Sequence, residues 1–143
     1  MKKWTLIAIG LVAVLGLAAW IGYPQLTGAA PANTTPSETV EAFYSWYIGL
    51  PMDQINTAYK DSDYLTEGFV QKVEQIRASF DRGGYDPILL AQDIPNEVKA
   101  VEETVSGDTA LVRVETSFAG HSFLVELTQV GGEWRISDVR PAR

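Results

Sequence analysis

One histidine, no cysteine and a scatter of carboxylates bound the chemistry open to this 143-residue chain. His121 is the single side chain that ordinarily changes charge near neutral pH. To act as a general base it needs a partner within about 3 Å. The residue types that could serve beside it are Asp138 and Arg140 near the C-terminus, Asp86, Gln92 and Asp93 within one short stretch, and Tyr44 as a phenolic donor. The absence of cysteine removes a thiolate nucleophile, a structural disulfide, a cysteine-ligated zinc and a lipidated lipoprotein cysteine. No serine elbow, phosphate loop or metal-ligand spacing occurs, so no catalytic residue, metal or cofactor is assigned. The candidates therefore read as a ligand-binding set. For Asp86-Pro87 and Gln92-Asp93 the competing reading is structural, since these residues make turns and cap backbone N–H groups.

What these residues can do depends on the elements that carry them. Thr35-Pro36-Ser37-Glu38 is a capping box with proline at the first helical position, and Val40, Phe43, Tyr44 and Tyr47 follow on one helical face. Gly49 and Pro51 end that helix. A shorter helix is expected over residues 53–60. Thr66 caps another, with Phe69, Val73, Ile76 and Phe80 in one stripe and Gly83-Gly84 as its stop. Aromatic residues at helical spacing, Trp46 and the tyrosines included, read as core rather than as a sugar-binding platform.

From Glu97 the period falls from 3.6 to 2. Ser106-Gly107-Asp108, Ala119-Gly120 and Gly131-Gly132 separate strands of an antiparallel meander. Two-residue turns at the last two sites set Thr116 opposite Phe123, Val114 opposite Val125 and Val112 opposite Leu127. They also set Trp134 opposite Gln129, Ile136 opposite Leu127, Asp138 opposite Val125 and Arg140 opposite Phe123. Both registers put apolar residues on one shared face, with His121, Asp138 and Arg140 on that face toward one end. His121 and Asp138 then stand about 13 Å apart, too far for a dyad, and Arg140 is the expected partner of Asp138. Helices followed by a curved four-stranded antiparallel sheet make an α+β layer architecture over residues 36–143.

The charge narrows the partners. All 18 acidic residues follow Lys2 and Lys3, so 11 − 2 = 9 basic residues remain beside them and the net charge beyond the leader is 9 − 18 = −9. Such a surface repels phosphate backbones, which excludes nucleic acid as the natural partner. Glu102-Glu103 reads as a solvated strand edge.

Residues 4–23 form an uncharged run of about 20 residues, long enough as a helix to span roughly 30 Å of bilayer core. Lys2 and Lys3 keep its N-terminus cytoplasmic, which places the rest of the chain outside the membrane, periplasmic or extracellular. Trp4, Trp20 and Tyr23 lie near its two ends, and Pro24 stops it. A cleaved signal peptide is the rival reading, with Thr27-Gly28-Ala29 as the cleavage motif. Residues 24–35 are a Pro/Ala/Thr linker, in which Asn33-Thr34-Thr35 fits a glycosylation sequon. The leader lacks GxxxG, so no helix-driven dimer is read from it. A homodimer through the domain remains among the partner readings.

Several segments together resemble a known family. They are Pro36-Ser37-Glu38-Thr39-Val40 with Phe43-Tyr44-Ser45-Trp46-Tyr47, then Tyr64-Leu65-Thr66 with Phe69, then Asp86-Pro87-Ile88-Leu89-Leu90-Ala91-Gln92-Asp93-Ile94-Pro95. Ser106-Gly107-Asp108 and Trp134-Arg135-Ile136-Ser137-Asp138-Val139 complete the set. The chain resembles an uncharacterised bacterial envelope family, a domain of unknown function with the nuclear-transport-factor-like, or ketosteroid-isomerase-like, cone fold. That resemblance implies helices against a curved sheet with a cavity at the open end, and no activity. Relatives often carry a cysteine before the Ala-Gln-Asp and another near the C-terminus, which this chain lacks. The isomerase analogy implies a carboxylate base with tyrosine and acid donors, for which Asp86, Asp93, Asp138, Tyr44 and Tyr85 supply the types.

The function expected from all this is a membrane-anchored extracytoplasmic binding domain, non-catalytic, taking a small ligand or an envelope protein at the cone mouth. The alternatives are a scaffold subunit of an envelope or secretion complex and an enzyme of isomerase or hydratase type.

Overall fold

The first helix starts where its capping box dictates. In the computed structural model, which describes Ala30 and residues 34–143, the Thr35 hydroxyl accepts from the Glu38 N–H at 3.2 Å and the Glu38 carboxylate accepts from the Thr35 N–H at 2.8 Å. Helix α1 spans Pro36–Ile48. Its expected face, Val40, Phe43, Tyr44 and Tyr47, is fully buried. The Phe43 ring stacks on Tyr47 at 5.5 Å and meets Tyr44 edge-on at 5.0 Å, so the aromatic run is core. The short helix expected over 53–60 is instead a series of turns closing in a 3-10 turn at Ala58–Asp61. Helix α2 spans Glu67–Ala78 behind its Thr66 cap. Phe69 and Val73 of its stripe are buried, whereas Ile76 and Phe80 are only half-buried. The transmembrane expectation for residues 4–23 falls outside the described residues. Among the described residues no helix is long and apolar enough to cross a membrane.

Strands β1 (Val98–Ser106), β2 (Thr109–Thr116), β3 (Ser122–Val130) and β4 (Glu133–Pro141) form one antiparallel sheet in sequence order. The fold is α+β, with helices packed on a four-stranded sheet, as the change of period requires. One face of the sheet carries Val112, Val114, Phe123, Val125, Leu127 and Ile136 into the core. Trp134 is 9% exposed and belongs to the same cluster.

The registers differ from expectation in two ways. Val114 pairs with Phe123 and Val112 with Val125, because the β2–β3 turn runs from Ser117 to Gly120 rather than over Ala119-Gly120 alone. The slip is two residues, so every side chain keeps its face. In β3–β4, Trp134 pairs with Gln129 and Ile136 with Leu127, as expected, and then a bulge at Ser137 inserts one residue. Beyond it Val139 opposes Val125, while Asp138 opposes Glu126 and Arg140 opposes Leu124. An odd slip exchanges faces, so Val139 takes the core position assigned to Asp138.

Both sheet edges are tied to neighbours. The Thr66 N–H donates to Ile136 O and the Ile136 N–H donates to Tyr64 O, at 2.9 and 2.8 Å, which covers the middle of β4. On β1 the Ala100 N–H donates to Glu41 of α1 at 3.1 Å, and Glu103 accepts from the Ser37 N–H at 2.7 Å. Glu103 is therefore anchored to the helix start, beyond the solvated role read for it.

Candidate functional site

The stretch from Asp86 to Asp93 closes on itself. The Asp86 N–H donates to Ala91 O at 2.7 Å, and Asp86 Oδ1 accepts from the N–H groups of Ile88 and Leu89 at 2.7 and 3.1 Å. The capping role weighed for Asp86-Pro87 is thus present. Ile88 and Leu89 are pinned in the core, and Leu90 takes a left-handed backbone, φ 50°. The second carboxylate oxygen of Asp86 reaches the opposite way, accepting from the Tyr47 hydroxyl at 2.7 Å and from Arg77 at 3.2 Å.

Arg77 organises this end of the molecule. Its guanidinium donates to Asp86, to the Tyr47 oxygen at 3.2 Å and to Asn56. It also lies 5.0 Å from the centroid of Tyr59, a cation–π contact. Tyr59 in turn donates to Glu74, which pairs with Lys60 at 2.8 Å. Burial, then the Asp86 charge and its hydrogen bond, push the Tyr47 phenol far above its ordinary value, so it stays a proton donor. Burial also raises Tyr59, with its bond to Glu74 adding to the shift. Hydrogen bonds from Lys60 and then Tyr59 hold the Glu74 carboxyl below the usual glutamate value.

Above this network lies an open cleft of about 330 Å³. The half-buried Arg77 and Asp86 lie toward its floor, with Asn56, Met52, Phe80, Tyr85, Gln92, Asp93 and Ile94 around them. Met52 is 72% and Tyr85 41% exposed. The Phe80 ring meets Tyr85 edge-on at 5.3 Å and lies against Gly84, where φ is +119° and an added Cβ would sit 2.4 Å from the ring. The structure thus presents apolar side chains to solvent around a polar floor whose hydrogen bonds are internal, with Arg77 Nε buried there without a partner among the described residues.

The residues singled out in the sequence divide into those that meet this loop and those that do not. Asp86, Gln92 and Asp93 line the cleft. Tyr44 is buried behind the loop and donates to Ile88 O at 2.9 Å, and burial raises its phenol well above the ordinary value. His121 lies 3.1 Å from Leu90 O through Nε2 and 3.0 Å from the Thr116 hydroxyl through Nδ1. The carbonyl can only accept, so Nε2 carries a proton, and in the neutral imidazole Nδ1 accepts from the Thr116 hydroxyl. Thr116 and His121 also border a second recess of about 280 Å³.

Asp138 and Arg140 are elsewhere, and the expectation that they join His121 on the inner face is corrected by the bulge at Ser137. Asp138 pairs with Lys72 at 2.6 Å and Arg140 with Glu126 at 2.7 Å, so they do not pair with each other. Among the described residues no group of three or more histidine, aspartate or glutamate side chains is arranged to hold a metal ion.

Sequence reasoning missed Arg77, Tyr47, Asn56 and the rim residues Met52 and Phe80 as site residues. Arg77 had a legible signal. It sits four residues after Val73, on the α2 stripe, and a charge on an apolar stripe demands a buried partner.

No family model and no curated protein matches this chain. Among solved structures, a chain of the type VI native effector–immunity complex Tae3–Tai3 from Ralstonia pickettii matches with a TM-score of 0.62 and 22% identity. The match covers 76% of this chain and 96% of that one. At that identity the likeness is one of fold. The expectation of a non-catalytic, membrane-anchored binding domain for a small ligand or an envelope protein is corrected by this finding, since the matched chain belongs to an effector–immunity complex.

Proposed function

We propose that this domain is one member of a two-protein pair of the effector–immunity kind, and that it meets its partner over the Arg77–Asp86 cleft. The observation that carries the proposal is the cleft itself. Exposed Met52 and Tyr85 flank a floor whose polar groups already bond to one another. Exposed apolar and aromatic anchors around internally bonded polar groups are what a protein interface concentrates its energy on. The fold likeness supports it, because 76% of this chain corresponds to 96% of a chain from such a complex. The leader reading joins the proposal: residues 4–23 hold the domain outside the membrane. N-terminal sequencing of the membrane fraction tests that part, and a start at Ala30 would end it.

Site-specific photo-crosslinking in producing cells tests the interface. A benzoyl-phenylalanine at Met52 or Tyr85 should trap one discrete protein, and the same group at Val130 should not. Equal trapping at all three sites, or none at the cleft, would refute it.

A second reading assigns this chain the effector role, with chemistry of its own. One observation favours it: the Thr116 hydroxyl, the His121 imidazole and the Leu90 carbonyl stand in the order of nucleophile, base and orienting acceptor. Expression of the chain in a cell lacking its partner should then be toxic, and His121→Ala should relieve the toxicity. Unchanged toxicity with His121→Ala would remove this reading.

A further inference from the structure

Resting on the partner surface just proposed, we infer that the partner inserts a basic side chain, an arginine, into the cleft between Tyr85 and Asp93. Charge gives the sign. Residues 34–143 carry 9 basic and 18 acidic side chains, so a partner that approaches this domain is steered to it by positive charge. The cleft repeats that sign locally. The one cation lining it among the described residues, Arg77, serves Asp86, Tyr47 and Asn56 through its terminal nitrogens, and its unpartnered Nε is buried out of reach of a carboxylate from outside. Asp93, by contrast, is exposed, lines the cleft, and has no ion pair or side-chain hydrogen bond among the described residues.

The walls give the shape. Tyr85 is exposed and braced edge-on by Phe80, which is itself seated on Gly84, so an aromatic ring is held beside the cleft. A planar guanidinium can stack on such a ring while its fork bonds a carboxylate, and a compact ammonium cannot do both as well. A cleft of about 330 Å³ has room for one such side chain.

The full chain, with 3-fluorotyrosine at position 85, is titrated with acetyl-Gly-Arg-Gly-amide and with its lysine, citrulline and glutamate counterparts. The arginine peptide should shift the Tyr85 fluorine signal. Its binding should be about five-fold or more stronger than that of the citrulline peptide, which keeps the shape and loses the charge. Asp93→Asn should weaken the arginine peptide by a similar factor with the near-ultraviolet circular dichroism unchanged. No shift with arginine, equal binding of citrulline or glutamate, or indifference to Asp93→Asn would each overturn the inference. If one of these occurs while crosslinks still map to Met52 and Tyr85, only the basic anchor fails. If the crosslinks fail too, the partner surface fails with it.

Discussion

Helix α2 sends one basic side chain to each of two aspartates, and the two pairs differ in what surrounds them. Lys72 meets Asp138 at 2.6 Å on the sheet edge, with 48% and 28% of the two side chains exposed. Arg77 meets Asp86 at 3.2 Å with 21% and 15% exposed, and the Asp86 carboxylate accepts a phenol and two backbone N–H groups as well. The shorter pair is the weaker one. Water screens Lys72 and Asp138, whereas Arg77 and Asp86 sit where charge is costly to leave unpaired. Distance does not rank these interactions; burial and the number of bonds held in common do. The pair that shapes the cleft is also the pair that fixes the Asp86–Asp93 loop.

Substitutions can break that contrast. Asp86→Ala should have the largest effect, about 3 kcal/mol of stability, because it leaves Arg77 unpaired and the Ile88 and Leu89 N–H groups uncapped. A urea midpoint unchanged from wild type would show that the network is not structural. Gly84→Ala should cost about 1–2 kcal/mol, since alanine is strained at that φ and its Cβ meets Phe80. Tyr85 should then become more exposed to a fluorescence quencher.

Tyr47→Phe should cost about 1 kcal/mol at neutral pH and should also change the alkaline limb. The sign follows from the direction of the shift. The phenol is raised in the folded state above its ordinary value of 10.0, so its contribution is whole below that pH and is lost as pH rises beyond it. Wild type should therefore lose stability above about pH 10 more steeply than Tyr47→Phe. Parallel curves would contradict the raised phenol. Lys72→Ala and Arg140→Ala should each cost about 0.5 kcal/mol or less, and that difference should fade in 1 M salt. A loss from Lys72→Ala as large as that from Asp86→Ala would collapse the comparison.

Much of this frame was legible in the chain. The Thr35 box and the Val40, Phe43, Tyr44, Tyr47 face fixed α1, and glycine-marked turns located the strands. The limits came from parity. In β2–β3 the longer turn moved the pairing by two residues, which preserves the face, so the core read correctly from a wrong register. In β4 the bulge at Ser137 moved it by one, and Asp138 and Arg140 left the site for the sheet edge. A bulge has no signature in alternation alone, because Ser137 fits either face. The loop from Asp86 to Asp93 was visible as a motif, but its partner Arg77 lies on α2, and only the tertiary fold joins them.

Affinity for the partner trapped at the cleft decides whether Tyr85 anchors that partner. Once that protein is identified, its binding to the wild-type chain, Tyr85→Ala and Val130→Ala should be compared by calorimetry, with thermal unfolding as the control. Both residues are similarly exposed, 41% and 43%, so loss of apolar surface is matched in kind and only location differs. The cleft account predicts that Tyr85→Ala weakens binding about 10-fold or more at unchanged stability, while Val130→Ala leaves it within about two-fold. Equal affinity of Tyr85→Ala and wild type, or a larger loss from Val130→Ala, would contradict it.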